Sequence, residues 1–207
     1  MKNRIVESWR NQTLVNRVNN DATLATEYYV MVKYVVENYK LRFETIQNPL
    51  LHIMSHCLEI RYKETLQYAA DYYLNNATLI KEIIHEHDLP KLCTRFVEVC
   101  NCLQNETCIA DEDKNLLKNT IIPENQRIAS ILKSDTTAYR YTKKISRKGD
   151  VKDRGCPILT DAESPNIQEV YPLFENCNIS IAYVLTLLEN ICPGIKHLET
   201  VVSSKGD

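Results

Sequence analysis

From Leu50 to Leu74 the chain runs for twenty-five residues without a glycine or a proline. Leu50, Met54, Cys57, Leu58, Tyr62, Leu66, Ala69 and Tyr73 recur in this stretch at three- and four-residue steps. Side chains at those steps share one face of an α-helix, whereas a strand would need alternation. The segment is predicted to be a long helix with one face turned to a core. The whole chain is poor in turn formers, with 4 glycines and 7 prolines in 207 residues, too few for a β-sandwich. The expected fold is therefore mainly α: one helical domain over residues 1–197 and a frayed tail over 198–207.

The same periodicity marks further helices. Ile5, Trp9, Leu14 and Val18 sketch one over about residues 3–19. Leu24, Tyr28, Met31, Val32, Val35, Tyr39, Phe43 and Ile46 trace another, which Asp21 opens and Pro49 is expected to end. A short helix over residues 78–85 precedes Asp88-Leu89-Pro90, an N-cap followed by proline in the first turn. The next helix carries Leu89, Leu92, Phe96, Val99 and Leu103 and should end before Thr107. Asp111, Glu112 and Asp113 suit another helix start, and Pro123 is expected to kink or split that helix. Thr136–Thr142 is rich in β-formers, Gly149-Asp150 reads as a turn, and Val151 or Ile158-Leu159 offers a partner strand. A small hairpin near residues 137–159 is expected before a last helix over residues 165–192.

The composition excludes several classes. A net charge of −2 is not that of a strongly basic nucleic-acid binder. No apolar run approaches the roughly 20 residues that span a bilayer, and the first ten residues lack the apolar stretch of a signal peptide. A cytoplasmic protein with no membrane association is expected. In that setting the eight cysteines are read as free thiols packed as small apolar groups. The Asn-x-Ser/Thr triplets at Asn11, Asn76, Asn105 and Asn178 matter only in a secreted chain. Neither a phosphate-cradling glycine loop nor a Gly-x-Ser-x-Gly elbow occurs, so nucleotide hydrolases and esterases lack support. His52 and His56 lack the His-Glu-x-x-His arrangement, and the cysteines lack a Cys-x-x-Cys pair. Neither a metal nor another cofactor is expected.

Opposite the apolar face of the central helix lie His52, His56, Glu59 and Lys63, spaced four, three and four apart. Cleaving RNA without a metal requires a base for the 2′-hydroxyl, an acid for the leaving oxygen and a cation for the phosphate. Histidine, glutamate and lysine supply those groups, with Arg140 or His87 contributed from elsewhere, and His56, Glu59, Lys63 and His87 are the catalytic candidates. The structural alternative is that Glu59 bonds His87 or a helix N-terminus and so locks two helices together, while Lys63 pairs with Glu59 at four residues' spacing. Residues 140–154 hold seven basic and two acidic side chains, leaving −7 for the rest of the chain. Arg140, Lys143, Lys144, Arg147 and Lys148 are candidates for phosphate contact, and Tyr141 for stacking on bases. Equally, such lysines protect a solvated hairpin edge.

Asn48-Pro49-Leu50-Leu51, His56-Cys57-Leu58-Glu59-Ile60-Arg61-Tyr62-Lys63 and His87-Asp88-Leu89 occur in an order that resembles the HEPN superfamily. Tyr139-Arg140-Tyr141-Thr142 and Lys148-Gly149-Asp150 extend the likeness, which covers about residues 22–192. It implies an up-and-down helical bundle, often a homodimer or paired with a protein of the same operon, in bacterial antiphage or toxin–antitoxin systems. Many members of that superfamily are metal-independent endoribonucleases, with an Arg four to six residues before a His. None of His52, His56, His85, His87 and His197 has such an Arg. The resemblance thus implies a binding or regulatory protein acting on RNA or a partner protein, a ribonuclease with a non-standard site, or a purely structural module.

Overall fold

The computed structural model describes residues 21–38, 47–132, 143–145, 151–153 and 166–192. Short polar side chains set the helix starts. Asn76 accepts from the backbone N–H groups of Thr78 and Leu79 and opens a helix over Ala77–His85. Asp88 accepts from Lys91 N and opens Leu89–Gln104, with Pro90 in the first turn where its missing N–H has no helical partner to lose. Asn166 caps Ile167–Ile191 through Gln168 N. Asn75 takes φ of 48°, a left-handed turn that asparagine tolerates, between the end of one helix and the cap of the next.

In chain order the elements are α1 (Asp21–Asn38), α2 (Gln47–Tyr68), α3 (Ala77–His85), α4 (Leu89–Gln104), α5 (Asp111–Leu116), α6 (Ile122–Leu132), β1 (Lys143–Ile145), β2 (Val151–Asp153) and α7 (Ile167–Ile191). The described residues are mainly helical. The strands pair antiparallel, Lys144 opposite Lys152. The helix expected over residues 3–19, the strand expected over 136–142 and the tail lie outside the described residues.

Proline has a different place than expected. Pro49 lies in the first turn of α2, because a ring that cannot donate is as well tolerated there as after a helix end. Nor does α2 continue unbroken to Leu74. It widens into a π-turn over Ala69–Tyr73, where Leu74 N donates to Ala69 O at 2.7 Å. A second π-turn, Leu117–Ile121, joins α5 to α6 directly before Pro123. The five-residue step there accompanies the proline's missing donor, so the chain passes from α5 to α6 without a loop.

α2 is the axis of the fold and packs against α1, α3, α4 and α7. Its predicted face is interior: Leu50, Met54, Cys57, Leu58, Tyr62, Leu66 and Ala69 are buried. So are Leu51, Ser55, Glu59, Ile60, Thr65 and Ala70, so the helix is enclosed around most of its girth. On α1 the buried positions are Ala25 and Val32, while Leu24 is exposed, one step off the expected stripe. The small Ala25 lets the two helices approach until Cys57 Sγ donates to Ala25 O at 3.2 Å. Phe96 of α4 packs on Tyr62 with ring centroids 5.2 Å apart. Phe174 of α7 meets Tyr29 of α1 at 6.1 Å.

Asn125 of α6 is fully buried among these apolar residues. Its Oδ1 accepts from Tyr62 Oη at 2.7 Å, and its Nδ2 donates to Ile121 O at 2.8 Å and Ser180 Oγ at 3.0 Å. Every capacity a buried amide must satisfy is used, and α2, α6 and α7 are tied at one point. Burial raises the Tyr62 phenol well above its ordinary range, so it stays a donor. Arg61 makes a second tie, with Nε on Asn178 Oδ1 of α7 at 3.2 Å and Nη2 on Thr26 Oγ1 of α1 at 2.8 Å.

Removing the Tyr62 hydroxyl leaves Asn125 Oδ1 buried without a donor. Tyr62→Phe is expected to lower the unfolding free energy in urea by about 1–3 kcal/mol. A loss within experimental error would contradict the tie.

Candidate functional site

Glu59 sits in the middle of α2, three residues after His56 and four before Lys63, so helical geometry alone gathers these three side chains. The helix also faces the junction of α3 and α4, and there the carboxylate finds its remaining partner. Glu59 is 3% exposed. Its Oε1 lies 2.8 Å from His87 Nδ1 and 3.0 Å from Lys63 Nζ, and its Oε2 lies 3.6 Å from His56 Nδ1. Lys63 Nζ donates in addition to Ile84 O at 3.3 Å, one of the carbonyls that the end of α3 leaves without a helical partner. The stripe expected to form a polar outer face is therefore half interior, and Glu59 is its buried centre.

The segment carrying His87 is itself held. Glu86 Oε1 accepts from His87 N at 3.1 Å and from Asp88 N at 2.9 Å, while Glu86 Oε2 pairs with Lys91 Nζ at 3.3 Å. Burial pushes the Glu86 carboxyl up, but these backbone donors and the Lys91 charge prevail and its pKa falls. His87 thus approaches Glu59 from a turn anchored at both ends.

Two opposing effects act on Glu59. Desolvation raises its pKa, because a bare carboxylate is poorly solvated in a helix interface. The approach of His56, the hydrogen bonds from Lys63 and His87, and the Lys63 charge outweigh it and bring the pKa to about 2. The group is ionised at neutral pH and accepts only. His87 Nδ1 therefore carries the proton shared with Oε1.

The four catalytic candidates His56, Glu59, Lys63 and His87 thus meet around one carboxyl group, yet they are not equally available. Glu59 Oε1 is held by two donors, and Lys63, 14% exposed, is committed to Glu59 and Ile84. The His87 side chain is 70% exposed and that of His56 33%. The His56 ring also lies 5.3 Å from Tyr28 and parallel to that of His52 at 6.2 Å. Of the nucleic-acid candidates, Arg140, Tyr141, Arg147 and Lys148 lie outside the described residues. Lys143 and Lys144 fall on β1.

Cys57, Cys93, Cys100 and Cys177 are buried in the core. Burial pushes the Cys57 thiol up to about 12 and that of Cys93 to about 11, so neither is a thiolate nucleophile at neutral pH. Among the described residues no cluster of three or more His, Cys, Asp or Glu side chains could hold a metal ion. No helix among them is long and apolar enough to cross a membrane. The polar ties through Asn125 and Asn178 are not anticipated by the sequence reading. The sequence does carry a sign of the first: Asn125 occupies an interior step between Ile121 and Ile128.

No family model, curated protein or solved structure matches the chain.

Because the folded pKa of Glu59 lies below its ordinary 4.5, its stabilising contribution is full above about pH 4.5 and disappears as the pH falls through about 2. Over that window wild type should lose on the order of 3 kcal/mol more stability than Glu59→Gln. Denaturation of both proteins across the window tests this, and parallel pH profiles would refute it.

Proposed function

We propose that the chain is a HEPN-like helical binding module of a bacterial antiphage or toxin–antitoxin system, which holds RNA through its basic segment, residues 140–154. One observation carries the non-catalytic part of this reading: the Glu59 carboxylate is buried, with Oε1 held by Lys63 and His87 and Oε2 3.6 Å from His56. A base must be free to take a proton, and this one is fixed at a pKa of about 2. The polar stripe then serves as a brace between α2 and the α3–α4 junction. The RNA part rests on charge: seven basic side chains within fifteen residues, in a chain that is otherwise −7. Arg140, Lys143, Lys144, Arg147 and Lys148 would contact phosphates and Tyr141 would stack on a base. In this reading the bundle is up-and-down, works in the cytoplasm, and acts as a homodimer or with a protein of the same operon.

Gel-shift titration of purified protein with single-stranded RNA at several salt concentrations tests the proposal. Binding should weaken steeply with salt. Replacing Lys143, Lys144, Arg147 and Lys148 by alanine should flatten the slope of log K against log salt by about 0.7 for each phosphate contact removed. RNA that never shifts would overturn the RNA reading and leave a partner protein as the ligand.

A second reading, a metal-independent endoribonuclease, is favoured by the exposure of His87. A histidine whose Nδ1 is fixed by a buried carboxylate presents Nε2 as a general base, and His56 lies on the other oxygen of the same carboxyl. Under this reading labelled RNA is cut in the presence of a chelator and His87→Ala lowers the rate by about 100-fold or more. Intact RNA after prolonged incubation would remove it.

A further inference from the structure

Beside the brace, α3 and the first turns of α4 enclose a cleft of about 540 Å³, within the size range of small-molecule sites. Leu79, Ile83 and Leu92 give it an apolar wall, and Lys81, Lys91 and Arg95 line it as cations. His85 adds an imidazole, and Glu82 and Glu86 are the opposing carboxylates.

We propose that this cleft binds a small organic phosphate of mononucleotide size, with its apolar or aromatic body on Leu79, Ile83 and Leu92 and its phosphate on Lys81, Lys91 and Arg95. This site does not depend on the RNA reading of residues 140–154.

The cations are arranged for a multiply charged group. Arg95 Nη2 lies 3.4 Å from Glu82 Oε2 and its Nη1 3.1 Å from Glu98 Oε2, which hold the guanidinium at the cleft. These side chains are about half exposed, so the bridges are weak and open readily to a stronger acceptor. A phosphate dianion is that acceptor, since it offers three oxygens to the planar fork and to two ammonium groups at once. Lys81 has no ion pair among the described residues and is already available. Lys91 Nζ pairs with Glu86 Oε2 at 3.3 Å through a largely exposed lysine, a bridge that opens to the phosphate in the same way, while the His87 and Asp88 N–H groups keep Glu86 Oε1 in the turn. A carboxylate ligand offers one charge and two oxygens, too few to replace the present partners of both Lys91 and Arg95. Inorganic phosphate would leave the apolar wall uncovered.

Calorimetric titration of the full chain with adenosine monophosphate as probe, and with adenosine and inorganic phosphate separately, tests the proposal. The nucleotide should bind more tightly than either part. The double variant Lys81→Ala/Arg95→Ala, at exposed positions that leave the core intact, should weaken it by about tenfold or more. Glu82→Gln should tighten it, since Arg95 is released from a competing carboxylate. No binding of the nucleotide at millimolar concentration would overturn the proposal, as would equal binding by inorganic phosphate or an unchanged affinity in the double variant. Weaker binding by Glu82→Gln would remove Arg95 from the site.

Discussion

A carboxylate enclosed by helices is stable only if donors replace the water it has lost, and Glu59 obtains them from three directions. Lys63 comes from the next turn of the same helix and supplies the compensating charge, while His56 comes from the turn before. His87 arrives from another part of the chain, 28 residues away. The last contact joins α2 to the turn between α3 and α4, which Glu86 and Asp88 hold through backbone N–H groups. Breaking such a pair from one side leaves an unpartnered charge in a poor solvent, and that penalty exceeds the net worth of the pair itself. The arrangement fixes where α3 can lie, and with it the cleft that α3 and α4 enclose.

The core obeys the same rule in neutral form. Asn125 is buried where an aliphatic residue would pack as well, yet its amide meets Tyr62, Ile121 and Ser180. Polar groups satisfied only in one arrangement discriminate between packings that hydrophobic burial alone would leave close in energy. α2 lies at the centre of both devices, and its enclosure on most sides makes those ties necessary. Among the described residues the His87 ring and the cleft between α3 and α4 remain accessible.

Much of the helical architecture is legible because local rules act on local sequence. Asp88-Leu89-Pro90 announces its cap and its proline, and the buried face of α4 keeps to the three- and four-residue steps from Leu89 to Leu103. Pro49 is misplaced by sequence reasoning because the steric rule for proline marks a boundary without saying on which side the helix lies. The π-turns are not legible in the periodicity: Pro123 marks a break near the second, and nothing in the spacing marks the one over Ala69–Tyr73. By periodicity Glu59 stands on a solvated face, because its burial depends on Ile84 and His87, which helical spacing cannot bring near. The meeting of Glu59 with His87 is open in the sequence as one of two roles, and the geometry alone fixes the contact. For Arg140, Tyr141, Arg147 and Lys148 the charge pattern is the whole support.

Glu59 is a buried carboxylate kept ionised by Lys63, His87 and the nearby His56. Its own titration reports this most directly, monitored through the side-chain carboxyl carbon signal of Glu59 in a ¹³C-labelled sample and assigned by comparison with Glu59→Gln. The brace predicts a midpoint near 2, well below the ordinary 4.5. A midpoint at 4.5 or above would mean that the donors do not hold the carboxylate, and the brace would not exist.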